Sequence, residues 1–518
     1  MQRSITFLLA LFLLAPLALP AQTEETFGEV IDVRVVNVEA VVTDRKGKRV
    51  TGLEAGDFRL LVDGVEVPVD YFTEVADGMA LPAPQPVSDS AEEGAPVASV
   101  PAGPVGRSFL VFIDESLSIA AQRDMVLKKL ESDLDRLGPG DRMAVVAFDG
   151  GRLHRLASWT GDRRALAAAF YEARQRPAWG LMTLAERRSS LADRQFLGLE
   201  DADQFDLYSN ESPFDEFEDE SLEPQQYTRI LRAAEAAAAA LRSVSLPSGR
   251  KAMLLLSGGW PSLRPMARLI QDANRLGYTL YPVDVPGVDI AVTPGDVTAD
   301  RPTAGPAPLL HDPWEEDAHY TLHVLAEATG GRESINSNRL AALERAEEDT
   351  RSYYWLGFSP AWKADDRHHR IELEVRRPGL EVRARGGFSD LSPATLAGME
   401  TEGLLRFGRG AGSSGRLRVE MGEARPAGWR TVEVPVTLVL PAPDEETELV
   451  LAVGALDRFG ASSELPRIPF KVSPSEGAPA RSVVTLRLRN VQQKLVFHVR
   501  DPRTGRQMVE ELSFQPGK

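Results

Sequence analysis

Asp114-Glu115-Ser116-Leu117-Ser118 places one carboxylate and two hydroxyls at alternate positions of a pentapeptide. All three are hard oxygen donors, the kind that hold Mg²⁺, Mn²⁺ or Ca²⁺. Read without a metal, the same residues form a strand-to-helix loop whose Ser118 caps the helix. His319 and His323 stand four residues apart, within range for two zinc ligands on one helical face. Tyr320, Thr321 and Leu322 lie between them, so the general base of a H-E-x-x-H metalloprotease is missing and a solvated face is the simpler reading. Between Glu200 and Glu223 there are eleven Asp or Glu and no Lys or Arg. Asp201, Asp203 and Asp206 lack the spacing and central glycine of a calcium loop. The stretch therefore reads as a self-repelling, solvated insertion. Phe205, Tyr208, Phe214 and Phe217 interleave with its acids, which also suits docking to a basic partner. No G-x-S-x-G elbow or P-loop occurs, and no catalytic residue is assigned.

The pentapeptide depends on what brackets it. SFLVFID (108–114) is a continuous apolar run of the kind buried in a parallel sheet. Residues 119–137 then repeat apolar side chains at helical spacing and stop at Gly138-Pro139-Gly140. That context puts Asp114 at the carboxyl end of a strand, where open α/β sheets bind ligands. MAVVAF (143–148), KAMLLLS (251–257) and 278–284 read as further strands, alternating with helical patterns at 162–174, 226–243, 261–276, 317–329 and 338–350. The expected fold class is thus α/β, with a doubly wound, mostly parallel sheet.

Here the chain resembles a von Willebrand factor type A (VWA) domain, whose fold is Rossmann-like. DESLS matches the first segment of that family's metal-ion-dependent adhesion site. GDRMAVVAFDG (140–150) resembles its second strand, and LHVLAEATGGRES (322–334) its last helix-to-strand passage. The flanking segments VVNVEAVVTDRKGKRVTGLEAGDFRLLVDG and YYWLGFSPAWKADDRHHRIELEVRRPGLEVRARGGF look like the acidobacterial-type VWFA-related family, so the resemblance spans roughly 30–390. It implies a divalent cation, Mg²⁺ or else Mn²⁺ or Ca²⁺, held by Asp114, Ser116 and Ser118, with Thr183 as counterpart of the threonine ligand. The family's second aspartate usually follows the fourth strand. This chain has Ser257-Gly258-Gly259 there, so Gly258 replaces it and cation binding is weakened.

The remaining organisation follows composition. Residues 1–21 carry a short positive start and an apolar run ending in small residues, which reads as a secretory signal cut after Ala21. A β module is expected over 28–75, with a hairpin turning at Asp63-Gly64, and a Pro/Ala-rich linker over 76–106. The VWA-like domain takes 107–350, with the acidic insertion at 186–225 and a Pro- and Gly-rich stretch at 286–313. A β-hairpin module follows over 351–390, positioned to share a sheet with 28–75. Strand-like segments at 431–440, 448–457, 481–489, 493–500 and 508–514 suggest a β-sandwich-like domain over 395–518.

Hydrophobic content of 43% with 26% charged residues excludes whole-chain disorder, collagen and a polytopic membrane protein. A net charge of −17 argues against nucleic acid as a partner. With no cysteine, disulfides and thiol chemistry drop out. The expected protein is extracytoplasmic, periplasmic or secreted, with no stable membrane span after signal cleavage. It is expected to be a non-enzyme that binds a protein partner or mediates adhesion, the partner's carboxylate completing the metal site. A metal-independent envelope scaffold and a metal-dependent hydrolase are the alternatives. N-terminal sequencing of natively expressed protein should find a start near Gln22; an intact Met1 would overturn export.

Overall fold

A computed structural model describes residues 35–81, 103–182, 224–243, 249–258, 264–285, 313–407, 417–441, 443, 445–457, 462–474, 479–504 and 506–515. The expected signal at 1–21, the acidic insertion up to residue 223, Thr183, most of 76–106, nearly all of 286–313 and the glycine-rich 408–415 lie outside the described residues.

The first strands are β1 (Val36–Asp44), β2 (Phe58–Val62), β3 (Val65–Val67), β4 (Tyr71–Ala76), β5 (Met79–Ala80) and β6 (Gly103–Pro104). Asp63 and Gly64 both take positive φ between β2 and β3, the geometry of a tight two-residue hairpin. Then come β7 (Arg107–Asp114), α1 (Ala120–Ser132), β8 (Arg142–Phe148), β9 (Leu153–Thr160), α2 (Arg163–Gln175), α3 (Pro224–Ser243), β10 (Arg250–Ser257), α4 (Met266–Leu276), β11 (Tyr278–Asp284), α5 (Pro313–Glu327) and α6 (Ala342–Arg351). The chain continues through β12 (Tyr353–Phe358), β13 (His368–Val375), β14 (Leu380–Arg383), β15 (Gly387–Ser389) and α7 (Pro393–Phe407). It ends in β16 (Arg418–Met421), β17 (Arg425–Gly428), β18 (Thr431–Leu440), β19 (Thr447–Asp457), β20 (Ser462–Val472), β21 (Ala480–Arg489), β22 (Gln493–Arg500) and β23 (Gln507–Phe514).

This architecture overturns the expected α/β class with a Rossmann-like, doubly wound and mostly parallel sheet. The protein is β-rich, and the described residues hold seven α-helices against twenty-three strands. Four of the five sheets are antiparallel throughout. Parallel pairing is confined to β11, β10, β7 and β8, and β9 closes that sheet antiparallel. The physical reason lies in the side chains. The continuous apolar runs of β7, β8 and β10 are buried on both faces, whereas most other strands alternate buried and partly exposed residues, the pattern of antiparallel sheets with one wet face.

β1 lies between β12 and β14 in a six-stranded sheet, Val38 opposite Leu356 and Val42 opposite Val382. β2 pairs with β13, Leu60 opposite Leu373. Segments some 300 residues apart thus share sheets, and everything from β7 to α6 is strung between them. On one face of the five-stranded sheet, Phe109, Val111 and Ile113 pack with Leu127, Leu166, Phe170 and Leu343. On the other, Leu110 and Phe112 pack with Ala237, Leu241, Leu269 and Leu325. The two C-terminal sheets bury Val434, Val436, Leu451, Leu486 and Phe497 between them. No helix among the described residues is long and apolar enough to cross a membrane.

α7 was not anticipated, and it joins the C-terminal sheets to the rest. Thr401 Oγ1 and the Ala397 carbonyl meet Nδ1 of fully buried His498 on β22, at 3.1 and 3.2 Å, and Nε2 lies 3.8 Å from Glu400. Burial lowers the His498 pKa from 6.5 to about 4. The unfolded chain therefore takes up a proton below about pH 6.5 that the folded chain refuses. Stability is full above that pH and falls by up to about 3 kcal/mol as pH drops toward 4. Glu400, pushed up by its own burial, acts in the opposite sense, so the histidine's share is the difference between wild type and His498→Gln. Urea unfolding at pH 7 and pH 4.5 should show a smaller acid loss in His498→Gln; equal losses would refute it.

Candidate functional site

Asp114 is the last residue of β7 and is fully buried. Its register partner on β8 is Phe148, whose carbonyl accepts from Glu115 N at 2.9 Å, so the turn out of β7 starts bonded to its neighbour. Within the loop, Asp114 Oδ1 accepts from Ser116 N at 3.0 Å, Ser116 Oγ at 2.5 Å and Leu117 N at 3.3 Å. Its Oδ2 accepts from Ser257 Oγ, at the end of β10, at 2.8 Å. Ser118 Oγ donates to the Asp114 carbonyl. Ser118 is therefore not the helix cap: Ile119 occupies that position and makes no side-chain capping bond.

Residues 176–180 form the second wall. Trp179 N donates to the Glu115 carbonyl at 2.8 Å and Gly180 N to the Ser118 carbonyl at 2.9 Å. Arg176 meets the buried Glu115 carboxylate with Nε at 2.5 Å and Nη2 at 3.0 Å. Arg123, fully buried in α1, reaches the Arg176 and Pro177 carbonyls at 3.0 and 3.3 Å. Glu115 and Arg176 thus satisfy each other as a fixed pair and leave Asp114 as the uncompensated carboxylate. Across the loop, Gly150 adopts positive φ, and a side chain there would stand 3.6 Å from the Ser116 Cβ. Asp149 is bonded to His154 at 2.6 Å and to the amides of Gly151 and Arg152.

The electrostatics separate these acids. Burial pushes the Asp114 carboxyl up, and the bonds from Ser116, Ser257 and Leu117 only partly oppose it. Burial also pushes Glu115 up against the pull of Arg176. Asp149, less buried, is held below its ordinary value by His154 and the two amides.

The sequence-derived set is brought together in part. Asp114, Ser116 and Ser118 share one loop, but Ser116 and Ser118 spend their hydroxyls on Asp114. Thr183 lies outside the described residues, three positions beyond Gly180 on the second wall. Gly258 follows the Asp114 partner Ser257 directly. Ser257, Arg123 and Arg176 were missed. Ser257 carried a faint signal as a hydroxyl ending an apolar strand before two glycines, whereas the two arginines looked like ordinary helix-surface charges. His319 and His323 diverge: His319 lies 3.5 Å from Asp284, and exposed His323 lies between Glu327 and Glu333. They do not converge on one metal position.

The chain matches no protein-family model and no curated protein. Among the described residues, no three His, Asp or Glu side chains form a metal-holding group. A cation at this site would therefore rest on one carboxylate and several hydroxyls. The donor chemistry fits a hard divalent ion: every group is oxygen, and Asp114 Oδ2 accepts one hydrogen bond where a carboxylate oxygen has room for two.

Gly180 tests how tightly the walls are set. A Cβ there would stand 2.6 Å from the Ser118 carbonyl oxygen and 2.8 Å from that of Leu117, both backbone atoms. Gly180→Ala should lower unfolding stability by about 1–3 kcal/mol. An unchanged urea midpoint would show that the 176–180 segment simply gives way.

Proposed function

We propose that the protein acts outside the cytoplasm as a protein-binding or adhesive module, through a divalent cation held at the Asp114 loop. The observation that carries the reading is the Asp114 carboxylate. It is wholly buried at the carboxyl edge of the sheet and held by hydroxyls and amides alone. An isolated anion in that position is costly, and a cation would offset the cost. The resemblance of DESLS and its flanks to the VWA-related family supports the same reading. Asp114 would supply the charge, Ser116 and Ser118 neutral oxygens after rotating away from their present acceptors, and Thr183 a further hydroxyl. A bound cation would supply a Lewis-acidic position for a carboxylate of the partner protein. Glu115, locked to Arg176, would hold the loop open from behind without joining it.

A second reading, a metal-independent scaffold, is favoured by one observation. The loop is already internally bonded, with Ser116, Ser118 and Ser257 all donating to Asp114 atoms.

Metal titration separates the two. A ligand that binds only the folded chain stabilises it by mass action, by about 3 kcal/mol at a hundredfold excess over Kd. Millimolar Mg²⁺ or Mn²⁺ should raise the melting temperature of the mature chain, and Asp114→Ala should abolish the rise. Gly258→Asp should enlarge it by adding a second carboxylate. If wild type and Asp114→Ala respond identically, the scaffold reading stands and the cation reading falls.

A further inference from the structure

A cleft of about 1020 Å³ opens where α3 and α4 face α7, β13 and the strands β19 and β20. Its acids are committed. Arg242 is bonded to Asp272, to Glu235 at 2.7 Å and to Glu402 at 2.7 Å, so one guanidinium occupies three carboxylates. Asp366 accepts from Ser392 N, Ser392 Oγ and Thr395 Oγ1 at 2.8–2.9 Å.

The remaining cations are not matched in the same way. Arg275 Nε is buried with no hydrogen-bond partner among the described residues, and the nearest carboxylate to its guanidinium, Asp272, lies 3.9 Å away. Arg467 reaches the cleft from β20 and touches Thr395 Oγ1 at 3.4 Å. Its guanidinium lies against Gly398 of α7. Arg264 and Arg268 are exposed on the same lining, and Arg268 has a 3.4 Å contact with Glu235. Burial disfavours the charge on Arg275; Asp272 and Asp366 oppose that effect in part, and the positive charges of Arg242 and Arg467 add to it. An anion between these groups would relieve that strain and satisfy the orphan donor.

We propose that this cleft binds an organic anion carrying phosphate or carboxylate groups, gripped between Arg275 on α4 and Arg467 on β20. Guanidinium groups bind both kinds of oxyanion in the same forked geometry, and the volume accommodates a small molecule rather than a single ion. The site is separate from the Asp114 loop and does not rest on the reading given for it.

Calorimetric titration of the full mature chain with inorganic pyrophosphate and, separately, citrate, in metal-free buffer at low salt, tests this. At least one probe should saturate one site. Arg275→Gln and Arg467→Gln should each weaken it by about tenfold or more, while Arg418→Gln, on a remote exposed strand, should not. Tighter pyrophosphate binding marks a phosphate-bearing ligand, and tighter citrate binding a polycarboxylate; either supports the site. Because Arg467 is exposed, its variant keeps the test valid where Arg275→Gln disturbs folding. If neither probe saturates, or all three variants bind equally, the proposal is wrong.

Discussion

Asp349 is the carboxylate on which the rest of the molecule is hung. It is 1% exposed and receives Arg49 at 2.7 Å, Arg332 at 3.0 Å and Arg383 at 3.0 and 3.1 Å. Those three come from the loop after β1, the passage after α5 and strand β14, while Asp349 itself is on α6. One buried carboxylate bridges three guanidiniums, and removing Asp349 would leave those cations crowded together without their shared anion, so the four segments are tied through it. Gly78 adds a covalently independent tie nearby: its amide donates to the Arg351 carbonyl and its carbonyl accepts from Val105. The chain thus leaves the N-terminal sheet and returns to it at one point, and the inserted elements are held by both ends.

That anchoring sets the position of the candidate site at the far end of β7. Arg107 opens the strand, buried, and is bonded to Asp141 at 2.5 Å and Glu347 at 3.2 Å. β7 is then fixed in register between β8 and β10 over its full length. Asp114, seven residues further on, inherits a position determined by ion pairs more than 20 Å away along the strand, at about 3.3 Å per residue. The loop itself needs only local bonds.

What could be read in the sequence depended on whether a residue's partners were close in the chain. The apolar runs ending at Asp114 and Ser257 gave the strands and the loop, because burial on both faces writes itself as consecutive hydrophobics. The Ser257–Asp114 bond crosses 143 positions and leaves no local pattern. α7 was hidden because it is packed on two sides: Ala397, Met399, Thr401, Gly403 and Leu405 are all buried, a two-residue alternation that looks nothing like an amphipathic helix. β20 was hidden by Pro466 and Pro469, which argue against a strand but are tolerated on the edge of a sheet, where β20 lies. The fold class was misjudged for a related reason. The motifs that attract notice sit on the few parallel strands, while the short, alternating antiparallel strands that outnumber them carry no motif.

Charge pairing gives the molecule its division of labour. Arg107, Arg242, Asp349 and Glu115 each have a buried side chain matched by opposite charge, so they fix geometry. Among the described residues, the Asp114 loop and the cleft beside α7 depart from that pairing with opposite sign. At the Asp114 loop an anion is surrounded by neutral donors, and in the cleft beside α7 the Arg275 guanidinium keeps an unbonded nitrogen. Buried polar groups are expensive to leave unsatisfied, so each departure sets the sign of what would complete it. On the proposed readings, the first would take a cation and the second an oxyanion.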